Sequence, residues 1–221
     1  VQALEDGYEL IDEFISKEQF NSINEEIESI AFPVRAGGIR NAEKKFASIH
    51  DLAVSETLIT QAKNYLSGAA FLVRAILFNK TSENNWLVAW HQDRTVAVSR
   101  KFEKHEWGPW SVKDNVAHVQ PPIDVLNQMV TFRIHLDDTN LKNGCLKVLP
   151  KSHQLGILDS SAIRSYVQNH EAVVCEAPAG SALAMRPHLL HSSSKAVTPS
   201  KRRVLHLEYS SFKLPSGVSW A

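Results

Sequence analysis

Met129-Val130-Thr131-Phe132-Arg133-Ile134-His135-Leu136 alternates without a break: Val130, Phe132, Ile134 and Leu136 share one face, Thr131, Arg133 and His135 the other. Side chains of a strand point alternately to its two faces, so this stretch is a strand with an apolar and a polar side. Its surroundings read the same way. Residues 70–78 form a largely apolar run, residues 87–91 a second strand, and residues 144–150 a short strand after an Asn-Gly turn. Further strands are predicted near 172–176, 181–186 and 203–210, with a short helix over 160–169. Upstream the period changes. Ser16-Lys17-Glu18-Gln19 is a capping box, and Phe20, Ile23, Ile27 and Ile30 follow at helical spacing, so residues 17–31 are predicted to be an amphipathic helix. A second helix is predicted from 56 to about 66, with Gly68 as its stop signal. Short strands after a helical beginning predict a mainly β fold, a sandwich or barrel with flanking helices. No composition shift divides the chain, so one domain is expected over 1–221, helical to about 68 and β from about 70 to 210.

The bulk composition sets limits. The 221 residues are 43% hydrophobic and 22% charged with zero formal net charge, which provides no global field for nucleic acid or an anionic membrane. No apolar run is long enough to span a bilayer, and the N-terminus has neither the basic region nor the apolar core of a secretory signal. Cys145 and Cys175 lack metal-ligand spacing and are expected to be buried thiols of a cytoplasmic protein. The partner expected is a small molecule. Oligomeric state is not legible, since the helices carry no heptad pattern.

Chemistry enters with Trp90-His91-Gln92-Asp93 and, a hundred residues later, His191. An H-x-D pair on a strand and a distant histidine can place two imidazoles and a carboxylate on one face of a metal, leaving the opposite face open. The pair alone is a weak signal, and His135-Leu136-Asp137 repeats it. The second pair runs into the polar turn Asp138-Thr139-Asn140, where Asp and Asn are expected for turn chemistry, whereas His91 lies between an apolar strand and a long segment. That segment, about 101–122, holds two Trp and three Pro with no period and is expected to be a functional surface loop such as a lid. His188 and His191 lie three apart and would face opposite ways on a strand. Lys201-Arg202-Arg203 then opens a strand; a buried guanidinium there would suit a carboxylate, and alternation does not choose between Arg202 and Arg203.

Taken in order, Trp90-His91-Gln92-Asp93, then Asn143-Gly144-Cys145-Leu146-Lys147-Val148-Leu149-Pro150-Lys151-Ser152-His153, then His191 with Arg202 eleven residues on, resemble the phytanoyl-CoA dioxygenase family over roughly residues 70–210. The resemblance implies a double-stranded β-helix (a cupin-like jelly roll) with N-terminal helices, and an oxygenase using Fe(II), 2-oxoglutarate and O2. It implies that His91, Asp93 and His191 hold the metal and that Arg202 pairs with the distal carboxylate of 2-oxoglutarate. Ser193, Ile76 and Gln92 match co-substrate positions. Arg133 stands where phytanoyl-CoA dioxygenase has an aromatic residue; it either meets an acidic group on co-substrate or substrate, or forms a structural ion pair with a group such as Glu208. Trp107, Trp110, Lys113, His118 and Gln120, on a segment longer than that enzyme's, are the candidate substrate contacts, and a CoA-thioester substrate is not carried over. Related halogenases have a small residue in place of the metal carboxylate, so Asp93 favours hydroxylation or a similar oxidation. The alternatives are a catalytically silent cupin-like binding module and a Zn or Mn hydrolase on the same ligands.

Overall fold

The strand Met129–His135 lies inside a six-stranded antiparallel sheet in the order Tyr8–Ile11, Ala182–Met185, Met129–His135, Arg202–Ser210, Phe71–Lys80, Gly38–Arg40. The computed structural model describes residues 4–30, 38–197 and 201–221, so the predicted end of the first helix at 31 lies outside the described residues. A second antiparallel sheet runs Val173–Cys175, Leu146–Val148, His191–Ser193, Val88–His91, and a third, of three strands, runs Val96–Val98, Val116–Val119, Trp110–Lys113. The fold is therefore mainly antiparallel β with helices.

Alternation decides where the core sits. Phe132, Ile134, Leu205, Leu207 and Tyr209 face one way and pack on Ile23, Ile27, Ile49, Leu52 and Leu58 from the helices Lys17–Glu28, Ala47–Ala53 and Glu56–Tyr65. Phe132 is fully buried, with the rings of Phe14, Tyr65 and Tyr209 at 4.9, 6.0 and 6.0 Å. The Tyr209 hydroxyl donates to the Ala53 carbonyl at 2.7 Å, pinning sheet to helix. The predicted capping box forms: Gln19 N donates to Ser16 Oγ at 3.1 Å and Ser16 N to Gln19 Oε1 at 3.0 Å. The other face of the six-stranded sheet, with Arg74, Ile76, Phe78, Arg133, Arg202 and His206, turns toward the second sheet and lines a cavity between them.

Residues 101–122 depart from the expected loop. Trp110–Lys113 and Val116–Val119 form a hairpin closed by Asp114 and Asn115, both left-handed at φ 48° and 63°. Two consecutive positive-φ residues match the twist of a tight hairpin, and Asp-Asn is one of the pairs that tolerates it. Four-residue strands are too short to display a period, so only the turn dipeptide signalled them. The structure also resolves the arginine ambiguity. Arg202 faces the cavity, while Arg203 forms a two-pronged pair with Asp137, Nε–Oδ2 2.9 Å and Nη2–Oδ1 2.7 Å. Asp137 of the repeated H-x-D is thus a structural counter-ion.

Truncating Phe132 to Ala should cost about 3–5 kcal/mol of unfolding free energy, read by urea denaturation, since the fixed helices and sheet cannot close over the lost ring. A cost below about 1 kcal/mol would mean that this face is not the core.

Candidate active site

His91 ends the strand Val88–His91, and His191 opens the neighbouring antiparallel strand directly opposite it. Their rings lie 4.2 Å apart between centroids. Each Nδ1 lies 2.8 Å from a backbone carbonyl two residues earlier, of Ala89 and of Leu189. A carbonyl only accepts, so each Nδ1 carries the proton and each Nε2 presents a lone pair. Both lone pairs point at Asp93: Nε2 of His91 lies 3.5 Å from Oδ1, and Nε2 of His191 lies 3.5 Å from Oδ2. The Asp93 amide donates to Pro187 O at 2.9 Å, which fixes the carboxylate just beyond the strand end. These three ligand atoms all lie within 4.8 Å of one another, the donor set and spacing a divalent cation requires.

The electrostatics suit that role. Burial pushes the His191 imidazole down to about 4, outweighing Asp93, so it is neutral at physiological pH. Burial also opposes charge on His91, but the hydrogen bond and attraction of Asp93 outweigh it and the net shift is upward. Burial would raise the Asp93 carboxyl, yet His191, His91 and His206 hold it well below the usual carboxylate range.

A second group, Asp93 with His206 and Glu208, also lies within 4.8 Å. Its hydrogen bonds argue against a metal. Arg133 Nη1 donates to His206 Nδ1 at 3.1 Å, so the His206 proton sits on Nε2 and is donated to Glu208 Oε1 at 2.9 Å. No lone pair of that imidazole remains free. The same Glu208 oxygen accepts from Arg74 Nη2 at 2.8 Å. The expected ion pair of Arg133 with Glu208 is therefore replaced by a chain, Arg74–Glu208–His206–Arg133, with Arg133 also 5.5 Å over the Phe78 ring.

At the other end of the cavity, Arg202 Nη2 reaches Ser193 Oγ only at 3.4 Å, and its buried Nε has no partner among the described residues. Lys80, paired with Arg202 across the strands, donates to Ser194 O at 2.8 Å and Ser193 Oγ at 3.2 Å. No carboxylate among the described residues is recorded as an ion-pair partner of either cation. Burial, then the charge of Arg133, draws Arg202 down to about 10, and burial, then the charges of Arg202 and Arg133, draws Lys80 down to about 8. A buried guanidinium and ammonium without a counter-ion have the charge and donors that an anion would satisfy.

The cavity, about 420 Å³, is lined by His91, Asp93, His191, Arg202, Ser193, Ile76, Arg133, Lys113 and His118 among the expected residues. Gln92 is not among them. It alternates away from its neighbours, donating to Gly156 O at 2.7 Å and His188 O at 2.8 Å and accepting from Leu158 N at 2.9 Å. Trp107 and Trp110 pack on Phe102 in a separate apolar cluster; alternation in the hairpin turns Trp110 away from the face of Lys113 and His118, and Trp107 reaches the same cluster from the segment before the strand. Gln120 does not line this cavity; its backbone instead bridges Gly108 and Pro109. His188 stacks edge-on to His153 away from the trio, and His135 is buried with neither ring nitrogen partnered. Lys80, Arg74 and His206 were not singled out from sequence, and Glu208 only as a partner for Arg133, although all four keep the even-numbered alternation of their strands with Ile76 and Arg202.

The family model described as phytanoyl-CoA dioxygenase matches residues 3–204. L-proline trans-4-hydroxylase of Streptomyces griseoviridis is 25% identical over 178 residues, covering 69% of this chain and 59% of that protein, so the chain spans little over half that relative's length. Among solved structures, AviO1 from Streptomyces viridochromogenes Tue57 superposes with a TM-score of 0.70 at 20% identity, covering 96% of this chain and 92% of that one. EctD from S. alaskensis, solved with 2-oxoglutarate and 5-hydroxyectoine, gives 0.71 at 17% identity, covering 93% and 72%. At these identities the superpositions establish a shared fold.

Burial would raise the Glu208 carboxyl, but Arg74 and His206 outweigh it and the net shift is downward. Its contribution is therefore complete above the unfolded carboxylate value, about 4.5, and disappears as pH falls through the lower folded value. Glu208→Gln should flatten the loss of thermal stability on acidification below about pH 4.5 relative to wild type. Identical pH slopes would show that the chain of charges does not support the fold.

Proposed function

This chain belongs to the phytanoyl-CoA dioxygenase family, and on that premise we propose that it is a non-haem Fe(II)- and 2-oxoglutarate-dependent dioxygenase that oxidises a small molecule. The observation carrying the reading is the pairing of two things in one cavity: a His91–Asp93–His191 trio with both Nε2 lone pairs free, and the buried Arg202 guanidinium with no anion of its own. In this reading the whole chain is one oxygenase domain and the two larger sheets form a double-stranded β-helix with the trio at its mouth. The two free, buried cysteines support a reducing compartment, the cytoplasm.

His91, Asp93 and His191 would hold the iron, and Arg202 with Ser193 the distal carboxylate of 2-oxoglutarate, with Lys80 braced behind Ser193. Iron and 2-oxoglutarate, when bound, supply the oxidising chemistry, consuming dioxygen and releasing succinate and carbon dioxide. The protein's own contribution is placement. The carbonyls of Ala89 and Leu189 keep both imidazoles in the tautomer that coordinates through Nε2. Ile76, Phe78 and Leu146 line the cavity with apolar surface and limit water around the metal face. Arg133, fixed by His206 and Phe78, keeps positive charge beside the metal carboxylate. Asp93 occupies the position a halide would need, which favours hydroxylation or a related oxidation. A silent cupin-like module, or a Zn or Mn hydrolase on the same ligands, leaves Arg202 without a purpose. The small molecules in the names of the relatives, L-proline and the 5-hydroxyectoine bound to EctD, support a small metabolite here.

Anaerobic addition of Fe(II) and then 2-oxoglutarate should produce a weak visible charge-transfer band. Arg202→Ala should raise the 2-oxoglutarate concentration needed by about 100-fold, because a charge-assisted two-pronged contact is lost. No band in the wild type sinks the oxygenase reading.

Acid should release the metal through His91 first. Its pKa is raised and that of His191 depressed, so protons compete at His91 from about pH 6.5 or above, while His191 has no proton to lose at neutral pH. Apparent Fe(II) affinity should level off in mild alkali and fall about tenfold per pH unit on the acid side. A flat profile between about pH 5 and 8 would contradict His91 as a ligand.

A further inference from the structure

The cavity carries more positive charge than the chemistry proposed above consumes. Its lining includes Arg40, Arg74, Lys113, Arg133 and Arg202, while Asp93 is the one carboxylate among the described residues that line it. Three of these cations have an assigned anion: Arg74 has Glu208 at 2.8 Å, Arg40 has Asp114 at 3.7 Å, and Arg202 would take the distal carboxylate of 2-oxoglutarate. A divalent iron would be neutralised by Asp93 together with the near carboxylate of 2-oxoglutarate. Arg133 and Lys113 remain. Arg133 meets His206 and the Phe78 ring, and its buried Nε has no partner. Lys113 has no recorded ion pair or hydrogen bond among the described residues.

Position sharpens the count. Lys113 and His118 come from the hairpin that forms one wall, and Arg40 and Arg74 from the edge of the six-stranded sheet beside it. All four line the one cavity, and the His118 imidazole is held down first by burial and then by the charges of Arg74, Lys113 and Arg40. Its Nδ1 meets the Val116 carbonyl at 3.1 Å, so that nitrogen carries the proton and Nε2 remains to face the cavity. Positive charge of one sign concentrated on the wall of a cleft focuses the field there and favours anions over neutral ligands, although Lys113 and Arg40 themselves are solvent-exposed.

We propose that the substrate carries an oxyanion head group, a carboxylate or a phosphate, held by Lys113 with Arg40 at the hairpin wall, its reacting carbon directed inward to the His91–Asp93–His191 trio. This rests on the oxygenase reading above. The oxyanion supplies the charge that Lys113 lacks and anchors the substrate at the end remote from the metal. Arg40 takes part by sharing its exposed pairing with Asp114, which is long and solvent-screened and therefore readily exchanged.

The test uses the protein loaded anaerobically with Fe(II) and saturating 2-oxoglutarate. Three probes with the same six-carbon chain are titrated: hexanoate, hexyl phosphate and hexanamide. Binding is read as a shift of the charge-transfer band and, independently, as a rise in thermal midpoint. Hexanoate, hexyl phosphate or both should bind at least about tenfold more tightly than hexanamide, and the tighter of the two names the head group. Lys113→Gln should abolish that preference without altering the band itself, and Lys113→Arg should keep it. Because Lys113 is an exposed hairpin residue, both variants should fold. A normal band with hexanamide binding as well as the anions, or an anion preference that survives Lys113→Gln, overturns the proposal alone. A wild type that forms no band overturns the oxygenase reading and this inference with it.

Discussion

The six-stranded sheet is amphipathic in an unusual direction: its outer face is apolar and covered by helices, and its inner face is charged. Strict alternation along Met129–His135 and Arg202–Ser210 sends Phe132, Ile134, Leu205 and Leu207 to the helices and Arg133, Arg202 and His206 to the cavity, with Glu208 buried beside His206. Charge in so enclosed a place is costly unless each group finds a partner. Much of the site follows from how that requirement is met. Glu208 takes Arg74 and His206, His206 takes Arg133, and Asp93 is left to the two imidazoles. Arg202 and Lys80, both buried, have no carboxylate partner among the described residues, which is the opening that the proposed anionic co-substrate would fill.

Tautomers separate the proposed metal site from a structural cluster of similar spacing. Both candidate groups gather their ligand atoms within 4.8 Å. In one, backbone carbonyls occupy Nδ1 of both histidines and leave Nε2 open; in the other, an arginine and a glutamate use both nitrogens of His206. Proximity counts the two alike, and hydrogen bonding distinguishes them.

The sequence made the fold legible wherever a strand was long enough to show alternation. Met129–His135 and Arg202–Ser210 were readable for that reason, as was the helix after Ser16 from its capping box. The hairpin at 110–119 was missed because four-residue strands carry no period, and only Asp114-Asn115 announced it. Within the site, His91, Asp93 and His191 were legible as a motif and its distant partner, and Arg202 through the family resemblance. Gln92 was misjudged because it was judged by position between ligands, although period-two geometry turns it outward. Trp110 does not line the cavity because a strand turns it into an apolar cluster where a loop was expected, and Trp107 joins that cluster from the irregular segment before the strand. Arg74 and Lys80 were invisible as site residues, because their significance lies in cross-strand register with Glu208 and Arg202.

Crystals grown with Mn(II) in place of iron and with 2-oxoglutarate, examined by anomalous scattering at the manganese edge, test the central claim most directly. The account requires one strong peak within coordination distance of Nε2 of His91, Nε2 of His191 and the Asp93 carboxylate, with the distal carboxylate of 2-oxoglutarate against Arg202. A peak among Asp93, His206 and Glu208, or a co-substrate whose distal carboxylate avoids Arg202, would contradict it.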